Sequence, residues 1–220
     1  MMNLKIKLVL FAVLLCLANT NTKAQGLVDG FFNKKGETTI SLSYSFSDYD
    51  TFYVGEMKVD GVPAHKEISQ NIYNLYANYG ITDRLTAIVN LPYINTKGKG
   101  DPDPVNGTTE QSNIQDLSLV LKYDLYNKDV GHGNTRFFTA LGASIPFGYE
   151  PNGILSIGNG ALGIDGKLGM HYKNNSGFFG TLAIGYTIRG KADNNLGVGT
   201  GADFDAPNSF NSVFKLGYSS

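Results

Sequence analysis

The chain has 220 residues, with 18 lysines and arginines against 19 aspartates and glutamates, 27 glycines, 13 tyrosines, 13 phenylalanines, one cysteine and no tryptophan. This near-neutral, slightly acidic balance argues against nucleic acid as a partner. A mean hydropathy of −0.13 resembles that of a soluble protein, but a membrane barrel is apolar on one face only and averages equally low.

At the N-terminus, Lys5 and Lys7 precede an apolar run over residues 8–17 and a polar stretch ending Thr22-Lys23-Ala24-Gln25. A basic segment, a short apolar core and a small residue predict a secretory signal peptide over residues 1–24, cleaved after Ala24. The run is about half the ~20 apolar residues a spanning helix needs. Cys16 lies inside it behind Leu15, which is too large for a lipoprotein cleavage site, so the mature chain has neither disulfide nor thiol chemistry. Residues 25–220 read as one domain without a linker.

Eight segments of strict alternation follow. Ile40, Leu42, Tyr44 and Phe46 alternate with Ser41, Ser43 and Ser45. Successive strand side chains point to opposite faces, so one face is apolar and the other small and polar. Tyr73, Leu75, Ala77 and Tyr79 oppose Asn74, Tyr76 and Asn78, and Leu85, Ala87, Val89, Leu91 and Tyr93 oppose Thr86, Ile88 and Asn90. The pattern is clearest where Leu117, Leu119, Leu121, Tyr123 and Leu125 oppose Asp116, Ser118, Val120, Lys122 and Asp124. The fifth segment sets Phe137, Leu141, Ala143 and Ile145 against Ala140, Gly142 and Ser144. The sixth sets Leu162, Ile164, Leu168, Met170 and Tyr172 against Asp165, Lys167 and His171. Leu182, Ile184, Tyr186 and Ile188 then face away from Thr181, Thr187 and Arg189, and Phe210, Phe214, Leu216 and Tyr218 from Asn211, Val213 and Lys215.

Each run approaches the 9–11 residues of a tilted membrane-crossing strand. A secreted β-sandwich also alternates, but two features favour an antiparallel up-and-down transmembrane barrel. Long polar connections (near 47–69, 94–113, 147–160 and 190–208) alternate with tight ones (80–84, 127–135 and 173–177), the asymmetry of outer loops and periplasmic turns. Aromatic residues fall at both edges of the apolar band. Tyr79, Tyr123, Tyr172 and Tyr218 lie near the periplasmic ends, and Tyr44, Phe46, Tyr93, Phe147 and Tyr186 at the opposite rim, as interfacial girdles would. Pro92 and Pro146 recur at one height, at strand ends where a missing donor is tolerated.

Within these strands, Tyr79-Gly80-Ile81-Thr82-Asp83-Arg84-Leu85 followed by Leu91-Pro92-Tyr93, then Asp116-Leu117, Leu121-Lys122-Tyr123 and Ile145-Pro146-Phe147-Gly148, carry a resemblance. They resemble the bacterial outer-membrane family labelled for the meta-cleavage pathway of phenol degradation. The likeness is good over residues 70–150 and rhythmic elsewhere. It implies a cell outer-membrane barrel for uptake of small apolar or aromatic compounds, and the label is no evidence of catalysis. The family runs longer than this chain. Ser219 and Ser220 also stand where a complete barrel would carry a terminal aromatic residue, so eight visible strands cut from a larger barrel are expected.

The face assignment directs Asp116, Lys122, Asp124, Arg136, Asp165, Lys167, His171, Arg189 and Lys215 to the lumen, with signs near balance. They can fill a wet interior as cross-strand ion pairs or set a selective constriction of opposed charges. Gly142, Ser144, Gly163, Gly169, Ala183 and Gly185 leave room beside them. The mature chain's histidines, His65, His132 and His171, lack both a serine-and-acid set for hydrolysis and metal-ligand spacing. The acidic pairs Asp101/Asp103 and Asp203/Asp205 match no EF-hand, and the glycines of 197–201 open no helix. No enzyme, metal or cofactor is therefore expected. The expected partners are outer-membrane lipid and lipopolysaccharide, the barrel-assembly machinery during biogenesis, and a small-molecule solute. A passive channel or transport component competes with a narrow, non-conducting barrel acting through its outer loops. Strand number separates them, since eight strands close on a side-chain-filled interior and a water-filled pore needs more.

Overall fold

The computed structural model describes residues 28–54, 57–158, 160–192 and 203–219. The expected signal peptide with Cys16, and the glycines at 197–201, lie outside them. The described residues form strands, turns and loops without a helix. Eight strands make one meander: β1 Thr38–Tyr49, β2 Ile68–Thr82, β3 Leu85–Gly98, β4 Leu117–Val130, β5 Gly133–Ile145, β6 Gly163–Asn174, β7 Phe178–Arg189 and β8 Ser209–Tyr218. Each pairs antiparallel with its chain neighbours, in the order β1 to β8. Among the described residues β1 and β8 do not pair with each other, so the sheet is an open half-barrel.

Connection lengths alternate as the sequence indicated, with a correction. The ladder continues beyond the apolar alternation, through Gly80↔Thr86 and from Asn127↔Arg136 to Val130↔Gly133. The tight turns therefore shrink to Asp83 with Arg84, Gly131 with His132, and 175–177. Polar residues outside the apolar band still satisfy their backbone groups by pairing. At the other end Glu110–Ile114 pairs the outer half of β3, and the hairpin Thr51–Val54/Met57–Asp60 and the pair Lys191–Ala192/Phe204–Asp205 build up the long loops.

A bulge between Asp124 and Tyr126 departs from simple alternation, leaving Leu125 and Tyr126 both exposed. Arg84 explains why it is stable. Its guanidinium donates to the Asp124 carbonyl (Nε at 3.0 Å, Nη2 at 2.7 Å) and to the Leu125 carbonyl at 2.9 Å, and lies 5.2 Å from the Tyr123 ring centroid. Backbone acceptors freed by the extra residue thus regain donors.

The outer face is apolar throughout, with Leu42 79% and Leu216 71% exposed. A patch of this extent suits lipid rather than water. At the long-loop end Tyr44, Tyr73 and Tyr93 stand opposite one another on β1, β2 and β3, with ring centroids 5.1 and 6.4 Å apart. At the short-turn end Phe178 packs on Tyr218 at 5.2 Å and Tyr126 on Phe137 at 6.0 Å. From Tyr186 to Phe178 along β7, eight steps of about 3.3 Å give roughly 26 Å, or about 20 Å at a 40° tilt. That approaches the height of a membrane barrel's apolar band.

Candidate functional site

The inner face holds all nine charged or titratable residues assigned to it. They are Asp116, Lys122 and Asp124 on or beside β4, Arg136 on β5, Asp165, Lys167 and His171 on β6, Arg189 on β7 and Lys215 on β8. The signs are less balanced than the sequence reading held, with five Lys or Arg cations against three carboxylates. Two pairs form within the sheet, Arg136 Nε to Asp124 Oδ2 at 3.0 Å and Lys167 to Asp165. Arg189 donates to the Pro207 carbonyl, while Lys122, Arg136 and Lys215 find acceptors in residues 28–33, a stretch without periodicity.

These residues cross the inner face towards the short-turn end and present their carbonyls to the sheet's cations. Lys122, 2% exposed, donates to the carbonyls of Asp29 at 3.0 Å and Phe31 at 2.5 Å, and pairs with Asp29 Oδ1 at 3.2 Å. Arg136 reaches the Gly30 carbonyl at 3.1 Å and Lys215 the Val28 carbonyl at 3.2 Å. Phe32 receives Lys122 at 4.5 Å and Arg136 at 4.7 Å from its ring centroid. Phe31 packs edge-on against His171 and Phe179, at 4.8 and 4.9 Å. His171 Nδ1 shares a 2.7 Å hydrogen bond with Thr181 Oγ1. Asn33 Nδ2 donates to Asn78 Oδ1 at 2.6 Å, fixing the segment where it turns into β1.

Packing completes the contact. Val28 joins Tyr76, Ile88, Val120, Phe138, Ala140 and Ala183 in a buried cluster, with Phe32 and Val213 against it. Two glycines make close approach possible. A Cβ on Gly30 would lie 2.1 Å from His171 Cβ, and one on Gly169 would lie 2.2 Å from the ring of Phe138. The surplus of inward cations and the Phe31-Phe32 pair just ahead of β1 were the available signals for this segment.

A second structure closes over the long-loop end. Residues 149–158 fold inward after β5. Tyr149 donates to Asp116 Oδ1 at 2.6 Å, and Leu155 packs with Val62 and Ile68. Asp103 fastens the tip, accepting from the amides of Val105 at 2.8 Å and Ile154 at 2.5 Å, with His65 Nε2 3.5 Å away. Burial acts to raise the Asp103 carboxyl, but these amides and His65 outweigh it and hold it below the usual carboxylate range. Burial and the Asp116 contact push the Tyr149 phenol up, so it remains a donor. His65 and Asp103 thereby serve loop architecture, while His132 sits in the turn after β4. The eight rim aromatics, Tyr44, Tyr79, Tyr93, Tyr123, Phe147, Tyr172, Tyr186 and Tyr218, are all exposed, on the apolar side of the sheet or, for Phe147, just beyond β5.

A polar, partly covered inner face behind an apolar outer face is the wall of a transmembrane β-barrel. The chain belongs to the family described as "Putative MetA-pathway of phenol degradation", whose profile matches residues 61–220. The fold is similar to that of the COG4313 outer membrane channel from Pseudomonas putida F1, with a TM-score of 0.63 and 19% identity over 83% of this chain. The chain spans 66% of the length of that channel. A search of curated proteins finds no match.

Proposed function

We propose that this protein works in the cell outer membrane as a passive channel or transport component for small molecules, with residues 28–33 narrowing the path at the periplasmic end. The observation that carries this reading is how the inner face is filled. Lys122 and Lys215 close not on partners in the wall but on carbonyls of a separate segment, which Arg136, paired with Asp124 in the wall, also reaches. A wall built to be solid would satisfy its buried cations within itself; this one depends on a piece that can leave. The family label extends the proposal to aromatic or other apolar cargo, and nothing in the site suggests a reaction. Outer-membrane lipid and lipopolysaccharide would bathe the apolar face and its aromatic rims, and the assembly machinery would insert it.

The test is single-channel conductance of the refolded full chain, beside Asp29→Asn, which weakens the segment's hold. Conductance that rises in the variant supports the reading. No conductance above lipid alone in either protein removes the channel and leaves the non-conducting barrel, acting through its outer loops.

A further inference from the structure

The charges on the inner face fall into two groups. Lys122, Asp124, Arg136, Asp165 and Lys167 have counter-charges, and Lys215 is taken up by the Val28 carbonyl. Asp116 and Arg189 differ. Among the described residues neither has an ion-pair partner: Asp116 accepts from Tyr149 and from Ser144 Oγ at 3.2 Å, and Arg189 Nη1 donates to the Pro207 carbonyl at 2.6 Å. Both line one cavity of about 470 Å³ beneath the inward-folded loop, with Ser144 and Gly163 on the strands between them and Gln115 and Gly158 also lining it. That volume is within the range of small-molecule sites.

We propose that this cavity is a binding site for a small amphoteric carboxylate, with its ammonium end on Asp116 and its carboxylate on Arg189. Two partly buried opposite charges that fail to meet each other are each short of a partner, and a ligand with complementary ends supplies both. Spacing agrees. Asp116 precedes β4 and Arg189 ends β7, three strand intervals away, or about 14 Å between backbones at ~4.8 Å each. Asp116 is held by Ser144 and Tyr149, and the Arg189 guanidinium is turned to the Pro207 carbonyl, so the two charges do not meet across that span. Ser144 and Thr187 line the cavity with hydroxyls, and Gly163, opposite both Ser144 and Arg189, keeps the floor low. Thr187 Oγ1 in turn donates to Asp165 Oδ2 at 2.9 Å, and Asn211 Nδ2 donates to both, at 3.1 Å to Thr187 Oγ1 and 3.3 Å to Asp165 Oδ2. The floor is therefore held rigid from β6 to β8. The guanidinium can grip a carboxylate through two parallel N–H groups, as a lysine could not.

The proposal rests on reading the inner face as a solute path, and binding and passage can be measured separately. Calorimetry on the full chain in lipid nanodiscs would compare 4-aminobutanoate with butanoate and butylamine, which keep one charged end each. 4-Aminobutanoate should bind at least about tenfold tighter than either, roughly 1.4 kcal/mol. Asp116→Asn should reduce it to the affinity of butanoate while leaving butanoate unchanged. Arg189→Gln should reduce it to that of butylamine, and Arg189→Lys should restore only part of the loss. Equal affinity of the three probes, no binding of 4-aminobutanoate, or variants that weaken all probes alike would each overturn the site. Selective binding without conductance would keep the site and reject the channel.

Discussion

Replacing Asp29 by asparagine removes one negative charge beside the Lys122 ammonium and little else. The ammonium would keep the carbonyls of Asp29 and Phe31, now at 3.0 and 2.5 Å, and the Phe32 ring, but lose the carboxylate at 3.2 Å. Stripping the counter-charge from a buried pair costs about 3–5 kcal/mol. The surviving carbonyls place this case near the lower figure. Lys122 is fixed in β4, so the system relieves the cost by undocking residues 28–33. About 3 kcal/mol corresponds to a shift of roughly 100-fold in the docking equilibrium. Hydrogen exchange of a peptide covering residues 28–37, followed by mass spectrometry in a bilayer, reads that equilibrium directly. The double variant Asp29→Ala/Lys122→Met is the control, because replacing a whole buried pair by apolar groups is close to neutral. Exchange in Asp29→Asn indistinguishable from the parent, or a double variant as unprotected as the single one, would refute the reasoning.

Gly30→Ala places a methyl group within the His171 side chain, so the segment should lift, with faster exchange over residues 28–37 and larger conductance while the sheet's circular dichroism is unchanged. Phe138→Ala empties a site with no exposure, between Phe32 and Gly169, and should cost about 3–5 kcal/mol in urea unfolding of the lipid-embedded protein. Arg84→Ala leaves the bulge carbonyls of Asp124 and Leu125 without their guanidinium donors and should cost about 0.5–1.5 kcal/mol in the same assay, since water reaches these carbonyls. Asp103 has a depressed folded pKa, so its contribution to closing the loop is complete above the unfolded value of about 3.9 and is lost as pH falls through the folded value. Protection of the amides over residues 149–158, relative to their intrinsic exchange rates, should therefore be flat with pH near neutrality and fall only below about pH 4.

What was legible in the sequence was whatever repeats with the period of a strand. Leu117 to Leu125 and their inward partners declare two faces because each side chain's direction follows from its neighbour's. The bulge escaped because one extra residue breaks that rule locally, and its cause, Arg84, lies 40 positions away. The strand ends escaped because Lys128 and Asp129 pair through their backbones without any apolar signature. Residues 28–33 were hard to see for a deeper reason. Their backbone carbonyls do most of the work, and every residue has a carbonyl, so only the Phe31-Phe32 pair and the surplus of inward cations point to them. The Asp103–His65 and Tyr149–Asp116 contacts likewise join loops whose meeting depends on the sheet beneath.

The inner segment also fixes an order of events in biogenesis. Its contacts with Lys122 and Lys215 close loops of 93 and 187 positions. Although it stands ahead of β1, its last cradle residue lies on β8. Loops of such length close late because their entropy is recovered only after the intervening chain has ordered. Seating of residues 28–33 is thus expected to be complete only once β8 has brought Lys215 into place.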